Sequence, residues 1–546
     1  MSTAAVSLPA ARPAVNPWLV AAAVVVPTFM EVLDTTIANV ALRYIAGGLS
    51  ASEVDAEWVI TSYLAANATI LPISGWLSAH LGRRNYFLLS IAVFTIASAL
   101  CGMATSLEQI ILFRVLQGLA GGGLQPSSQG VLLDAFPPEK QGAAMTIFGL
   151  AALVAPVVGP TLGGYLTDNG PPFFGPLHDN DNWRWIFYIN IPVGTGALIA
   201  SYWLLDDPEY LKKERAELKK QPLNFDTIGL GLLAVAISCW EILLSKGQQW
   251  DWFGDPTWRV QTLTFLLVFS FGLLVVRELR IANPVVNFRP LAERNLAICS
   301  LIIFCAFGVL YAASVSLPGL LQSLFAYDAY SSGLVLSPSG LGSITMLLIV
   351  GALLGRGVDA RWCIASGLLV AAAGNYWMSI QNLEISPGQV VWPRVVLIMG
   401  LGMIFAPLNV SAFMYTPRHL RGAAVGLFAL LRNEGGSVGT SMAQTLEVRR
   451  DQLHSLRLGE YLDPLNPAVT SFLAQGEEFF YSQTGDASGS KEMALELLAN
   501  LREQQAASLS YFDVFWVSAV IAVVLVPLVL LMKRSVVEKG AHIAAE

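Results

Sequence analysis

Residues 18–44 read WLVAAAVVVPTFMEVLDTTIANVALRY. The stretch is long enough to cross the ~30 Å hydrocarbon layer, which takes about 20 apolar residues. It nevertheless carries two carboxylates, Glu31 and Asp34, near its middle. Apolar runs of this kind recur along all 546 residues, and hydrophobic residues make up 54% of the chain. Charged residues are only 13%, whereas a soluble domain carries about 25%; mean hydropathy is +0.57. Soluble enzymes and disordered scaffolds are excluded on this composition. A net charge of −7 provides no basic stripe for nucleic acid. The sequence predicts an all-α polytopic protein of the lipid bilayer.

Fourteen spans are predicted, at 18–44, 56–78, 85–105, 108–135, 142–167, 184–205, 227–246, 258–277, 296–325, 332–355, 362–381, 391–415, 421–447 and 511–532. The first is too long for a signal-peptide core and reads as a permanent span. Basic residues fix the orientation. With the N-terminus in the cytoplasm, the cytoplasmic loops hold Arg83 and Arg84, Lys140, the Lys212–Lys220 cluster, Arg277 to Arg294, Arg356 and Arg361, Arg418 and Arg421, and a tail with Lys533, Arg534 and Lys539. The opposite loops 167–182, 325–332 and 381–389 carry none. Both termini are expected in the cytoplasm. One long external loop, 449–510, contains two amphipathic stretches, VRRDQLHSLRLGEYL and KEMALELLANLREQQ, and reads as two helices joined by a TGDASGSK turn. It is either a solvated cap or a docking surface.

The chain repeats itself. Arg114/Arg394, Pro137/Pro417, Gly142/Gly422, Phe148/Phe428 and Gly159/Gly439 all align at an offset of 280. A constant offset predicts two parallel six-helix pseudo-repeats with two helices inserted between them. The expected units are a six-helix bundle over 1–206, a linker with inserted spans seven and eight over 207–294, and a second bundle over 295–546 that includes the external loop. Parallel repeats about the membrane normal mark a class of secondary transporter whose site lies at the midplane between the halves.

Ionisable groups in hydrocarbon face a cavity or a partner. Glu31 and Asp34 are three residues apart on one helical face. Two carboxylates so close cannot both ionise cheaply in a low dielectric, so one is expected to take up a proton near neutral pH, as a proton-coupled carrier requires; a local packing role is the other reading. Arg114 in span four stays charged, and Asp34 is its expected counter-ion, in a switching or a static pair. Arg432 and Glu434 in span thirteen pair with each other or line the cavity, and Asn39 and Asn67 are further cavity candidates. Glu241, in inserted span seven, is expected to have a structural or lipid-adjacent role. No catalytic motif is present, the five cysteines and five histidines form no metal or haem pattern, and no nucleotide-hydrolysing domain is evident. The expectation is a carrier without enzyme activity, metal or cofactor.

LDTTIANVAL (33–42), RVLQGLAGGG (114–123) and GPTLGG (159–164) resemble signatures of the major facilitator superfamily, in its fourteen-span drug:proton antiporter branch. WVITSYLAANATILPISGWL (58–77), WRWIFYINIPVG (183–194), DWF at 251 and the long late loop extend the likeness to EmrB-type exporters over nearly the whole chain. The resemblance implies proton-coupled efflux of hydrophobic or amphipathic compounds across an inner membrane. It implies a periplasmic EmrA- or HlyD-type adaptor and a TolC-type outer-membrane channel as partners. Asp34 and Arg114 then carry proton coupling, and Gly159, Pro160, Gly163 and Gly164 form the antiporter motif. Gly75, Gly82, Arg83 and Arg84 in GWLSAHLGRR form the cytoplasmic gate, in which Ala79 stands where an aspartate is usual. Export of one metabolite, such as a siderophore or fatty acid, remains open, and a receptor or scaffold on the same fold is the reading from another class.

Overall fold

The structure is a computed structural model that describes residues 16–137, 140–171, 181–218, 226–281, 284–384, 386–417 and 420–535. Lys219, Lys220, Arg418, Lys539 and both termini, used above for orientation, lie outside the described residues.

Among the described residues every regular element is helical. Helix α1 (Pro17–Gly48) starts at Asn16, whose side chain accepts from the Trp18 amide at 3.0 Å. The short α2 (Glu53–Ala56) leads into α3 (Trp58–Ile70), a 3-10 turn at Leu71–Ile73, and α4 (Ser74–Leu81). Then come α5 (Arg83–Met103), α6 (Leu107–Gly121) and α7 (Leu124–Ala135), the last two separated by a break in the Gly121–Gly123 run. Helix α8 (Gln141–Asn169) contains Pro156 and Pro160 and bends by 46° between Gln141–Pro156 and Val158–Asn169, because proline removes ladder bonds. Helices α9 (Trp185–Tyr188), α10 (Asn190–Leu204) and α11 (Glu209–Leu218) follow, then α12 (Thr227–Lys246) and α13 (Arg259–Arg280). The remainder is α14 (Arg294–Leu324), α15 (Ala329–Leu336), α16 (Pro338–Gly355), α17 (Ala360–Ser379), α18 (Pro387–Phe413), α19 (Arg421–Glu460), α20 (Pro467–Thr484) and α21 (Ala487–Leu530).

A helix or run of helices occupies each predicted span. By length and composition, eight of the described helices suffice to cross a membrane, or nine when bent α8 is included. The others are interrupted by glycine, proline or polar residues, which a helix tolerates in a membrane where neighbours satisfy its backbone.

Helix α1 packs on α8 and α10, and α14 on α19 and α21. Glycines permit the closest crossings. An ideal Cβ on Gly159 of α8 would lie 2.1 Å from Thr36 Oγ1 of α1, and one on Gly439 of α19 would lie 2.1 Å from the Gly308 carbonyl oxygen of α14. These two glycines are mates at the 280-residue offset. Helix α8 also meets α15, α16 and α18, and α19 meets α4 and α7. Helix α13 packs on α12 and exposes Phe265, Val268, Phe269 and Phe271, an apolar face suited to lipid.

The loop 449–510 differs from its sequence reading. Neither amphipathic stretch is a separate helix. The first continues α19 to Glu460 and the second is the start of α21, with α20 between them. Nothing in 447–460 breaks a helix, so the span runs on. At 1.5 Å per residue, the 44 residues of α21 reach about 66 Å, well beyond a bilayer core. The turn from α20 to α21 is at Gly485, with φ +70°. The end of the bundle bearing these extensions is called the hairpin end below; the other is the base.

Candidate functional site

Asp34 faces α6 and α10. Arg114 Nη1 donates to its Oδ2 at 2.5 Å, and Gln117 Nε2 and Asn190 Nδ2 donate to its Oδ1 at 2.9 and 2.8 Å. Arg114 is fully buried. Its Nη1 also donates to Gln117 Oε1 at 2.9 Å, and its Nε to the Val59 carbonyl at 3.1 Å. The guanidinium lies 4.2 Å from the Tyr63 ring centroid and 5.7 Å from that of Phe187. Position 117 is one turn after 114 on the same face of α6, a signal legible in the sequence; Asn190 had none beyond being polar in an apolar run.

Glu31 sits one turn earlier with different neighbours. Gln125 Nε2 donates to Oε2 at 2.5 Å; Asn67 Nδ2 and the Tyr63 hydroxyl donate to Oε1 at 2.9 and 3.3 Å. All are neutral. Each acid has its own donors, and Tyr63 links them, ring on Arg114 and hydroxyl on Glu31.

From Glu31 the network crosses to α19. Gln125 Oε1 accepts from Arg432 Nη2, and Asn67 Oδ1 accepts from Asn433 Nδ2 at 3.2 Å. Arg432 therefore does not pair with Glu434. Its guanidinium lies 5.7 and 5.6 Å from the Phe148 and Phe307 centroids, and Phe405 is 6.0 Å from each of those rings. Tyr311 adjoins Phe307. Arg432 Nη1 is buried without a hydrogen-bond partner. The centre is thus an aromatic cluster with one cation and one acid at its edge. Asn67 belongs to it. Asn39 does not: five residues beyond Asp34 it has turned about 140° around α1, and it is exposed.

Of the two roles expected for Glu241, structural or lipid-adjacent, the lipid-adjacent one does not fit its position: it is 3% exposed and its Oε1 accepts from Ser437 Oγ of α19 at 3.1 Å. Glu434 lies beside it.

Gly159 and Gly163 press α8 onto α1 at Thr36 and Ile37, within a turn of Asp34. At the base, an ideal Cβ on Gly75 would lie 3.1 Å from the Gly422 carbonyl group, so α4 and α19 touch backbone to backbone. The acids missing at Ala79 come from elsewhere. Arg83 pairs with Asp134 of α7 and donates to the Gly130 carbonyl at 3.0 Å. The Arg84 amide donates to Asp207 Oδ1 at 2.8 Å, and its guanidinium donates to the Tyr202 carbonyl at 2.7 Å. Gly82 has φ +89°, and an ideal Cβ there would lie 2.9 Å from Asp207 Oδ2 and 2.8 Å from Arg215 Nη1, a place for glycine alone. Asp134 and Asp207 are distant in sequence, which is why the motif did not reveal them.

The chain resembles known proteins over most of its length. A sequence profile of the Major Facilitator Superfamily matches residues 24–440. The multidrug export protein EmrB of Haemophilus influenzae is 36% identical over 493 residues, 90% of this chain and 91% of that protein. The fatty acid resistance protein FarB of Neisseria gonorrhoeae is 32% identical over 505 residues, 92% of this chain and 94% of that protein. The crystal structure of the human organic anion transporter MFSD10 superimposes with a TM-score of 0.56 at 14% identity, covering 94% of this chain and all of that one. With a profile spanning both α1 acids, the α8 glycines and Arg432, and relatives matched along nearly their full lengths, the chain belongs to the major facilitator superfamily of multi-pass membrane transporters.

Proposed function

We propose that this transporter expels hydrophobic or amphipathic compounds in exchange for protons, by rocking residues 1–206 against 295–546 about the central aromatic cluster. The observation that carries the reading is the pair of acids one turn apart on α1 with opposite surroundings. Asp34 is bound to Arg114, whereas Glu31 is held by neutral donors at the contact with α19. A proton arriving at Asp34 weakens its bond to Arg114. Tyr63 touches both Arg114 and Glu31, so the change passes to the Glu31–Gln125–Arg432 link. Such a link, made in one state and broken in another, biases a two-state bundle. Phe148, Phe307, Phe405 and Tyr311 supply the apolar surface for substrate.

In this reading the base faces the cytoplasm, with both termini, and the protein sits in the inner membrane. Gly75, Gly82, Arg83 and Arg84 hold the cytoplasmic closure. The hairpin end projects into the periplasm, where Leu456, Tyr461, Leu465 and Phe479 are exposed. These side chains suit an EmrA- or HlyD-type adaptor leading to a TolC-type channel.

The test uses inside-out vesicles with an acidic interior and a panel of lipophilic dyes. Wild type is expected to release protons on addition of substrate, and Asp34→Asn and Glu31→Gln are expected not to. Equal release from all three would overturn the assignment. A second reading, export of an anionic amphiphile such as a fatty acid, is favoured by the unpartnered Arg432 Nη1 amid aromatic rings and by the likeness to FarB. Arg432→Gln then abolishes export of long-chain fatty acids and spares neutral dyes.

A further inference from the structure

We propose that Glu241 of α12 and Glu434 of α19 form a second proton-binding site, a carboxyl–carboxylate pair that fastens α12 to the transport core. Its role in coupling rests on the transport reading above; its proton binding does not.

The two side chains are 3% and 5% exposed. Glu241 has one donor, the Ser437 hydroxyl at 3.1 Å. Glu434 lies one turn before Ser437, beside Glu241, with the Trp240 side chain as a neutral donor and neither carboxylate oxygen in a close hydrogen bond. A buried carboxylate with few donors is costly, and two facing each other repel strongly in a low dielectric. One proton resolves both problems. Taken from solvent onto either carboxyl, it forms an O–H that donates to the other carboxylate, and the pair falls from two negative charges to one.

The charged and titratable groups of the surrounding helices are engaged elsewhere. On α12, Lys246 binds Glu57 at 2.5 Å and Gln249 at 3.2 Å. On α19, Arg432 is turned to Gln125 between two phenylalanines, and Glu447 takes the Ser316 hydroxyl. Tyr63 of α3 serves Arg114 and Glu31, and Tyr311 of α14 stacks on Phe307. At the base, His80 of α4 bonds the Trp76 carbonyl and Asp134 of α7 takes Arg83. Asp513 of α21 meets Arg450 and His454. On α13, Arg259 and Arg277 are bound to Asp255 and Asp226, so among the described residues no cation contacts Glu241 or Glu434, and a proton is the charge that fits.

The position gives this proton a consequence. Toward the base, α19 reaches the α3–α4 segment directly, with Gly426 over the Leu71 carbonyl. Toward the hairpin end α12 stands between them, binding α3 through Thr61–Ser245 at 2.6 Å and α19 through Glu241–Ser437. Losing the proton sets two like charges across that contact and loosens it. Asn433, next to Glu434, donates to Asn67, which donates to Glu31. Two hydrogen bonds thus lead from Glu31 to Asn433, the residue next to Glu434.

The experiment is pH-difference infrared spectroscopy on the purified full-length transporter in lipid nanodiscs, reading the protonated-carboxyl stretching band. We expect a band that persists in Asp34→Asn and Glu31→Gln and is lost in both Glu241→Gln and Glu434→Gln. Proton uptake on acidification should fall by one proton per chain in each of the latter pair. A band unaltered by either of these substitutions, or lost only in Glu31→Gln, overturns the proposal. Should Glu434→Gln fail to fold, Glu241→Gln on α12 decides alone. A band assigned to the pair in a protein that releases no protons with substrate keeps this site and sinks the transport reading instead.

Discussion

Arg114 and Arg394 are mates at the 280-residue offset, and the residues they touch are mates too. Arg114 binds Asp34, and Arg394 Nη2 donates to Ser314 Oγ at 2.9 Å, each contact spanning 80 residues. Arg394 is as deeply buried as Arg114, at 2% exposure, but its Nε and Nη1 have no hydrogen-bond partner. One repeat therefore has the acid and the other has only a hydroxyl in its place. A reciprocal exchange tests what that difference is worth. Asp34→Ser removes one partner from a buried ion pair, which costs about 3–5 kcal/mol, and also takes the acceptor from the Gln117 amide, while Asn190 keeps Ser98. Ser314→Asp adds a charge-assisted hydrogen bond, worth about 1.5–3 kcal/mol, to an arginine whose own desolvation is already spent. The incoming carboxylate must still be dehydrated, which leaves a net gain of roughly 1 kcal/mol. Thermal unfolding in mild detergent, followed by tryptophan fluorescence, should order the midpoints Ser314→Asp above wild type, and wild type well above Asp34→Ser. A Ser314→Asp midpoint below wild type would show that Arg394 is not held as Arg114 is, and would refute the equivalence of the two sites.

Three further outcomes follow from the packing and the ion pairs. Gly159→Val should destabilise by about 1–3 kcal/mol through overpacking, since an ideal Cβ already falls 2.1 Å from Thr36 Oγ1; adding Thr36→Ala should recover part of the unfolding midpoint. Arg83→Ala and Asp134→Ala should be non-additive by about 0.5–1 kcal/mol in a double-mutant cycle, the scale of a partly exposed pair. Asp226 caps α12 and is bound by Arg277 at 2.8 and 3.0 Å, and this bond holds its carboxyl below the usual range. Its contribution is therefore complete above the unfolded value of about 3.9 and is lost as pH falls through the lower folded value. Asp226→Asn keeps the cap and loses the ion pair, so its midpoint should lie below wild type at neutral pH by about 0.5 kcal/mol and converge with it in acid.

Much of this architecture was legible in the sequence because a membrane imposes simple rules on it. Apolar length marks a candidate span and a carboxylate inside one demands a partner, so the all-helical membrane architecture and the Asp34–Arg114 bond could both be read from residue order. What stayed hidden depends on how helices face each other. A lipid-adjacent place for Glu241 remained open in the sequence because its neighbour lies on α19, nearly two hundred residues on. Asp134 and Asp207 supply the base with acids that the local motif lacks at Ala79. Arg432 and Glu434 are two residues apart and so point to different sides of α19, one to Gln125 and one to Glu241. The helices of the hairpin were recognisable by their periodicity, but not their continuity with the spans, because amphipathic and apolar stretches join without any breaking residue.

The offset of 280 also locates the centre. Gln129 Nε2 donates to Asn409 Oδ1 at 2.5 Å, and these two residues are mates at that same offset. Two equivalent positions can touch only near the axis that relates them, so this contact marks the axis between the repeats. The residues around it are not equivalent in chemistry. Glu31 and Gln125 of the first repeat correspond to Tyr311 and Phe405 of the second, and Asp34 corresponds to Ser314. One repeat presents carboxylates and amides to the centre where the other presents aromatic rings and a hydroxyl. Perfect symmetry would place four acids, or none, around the site. Four would repel one another in low dielectric, and none would leave nothing to titrate. In the proposed exchange, the divergence assigns proton binding to the first repeat and the apolar surface for substrate to the second. Arg432 touches both, through Gln125 on one side and Phe307 on the other. An exchanger needs its two ligands to compete for one conformational equilibrium, and a single buried cation shared between a polar and an aromatic wall is a physical means by which occupancy of either wall is felt by the other.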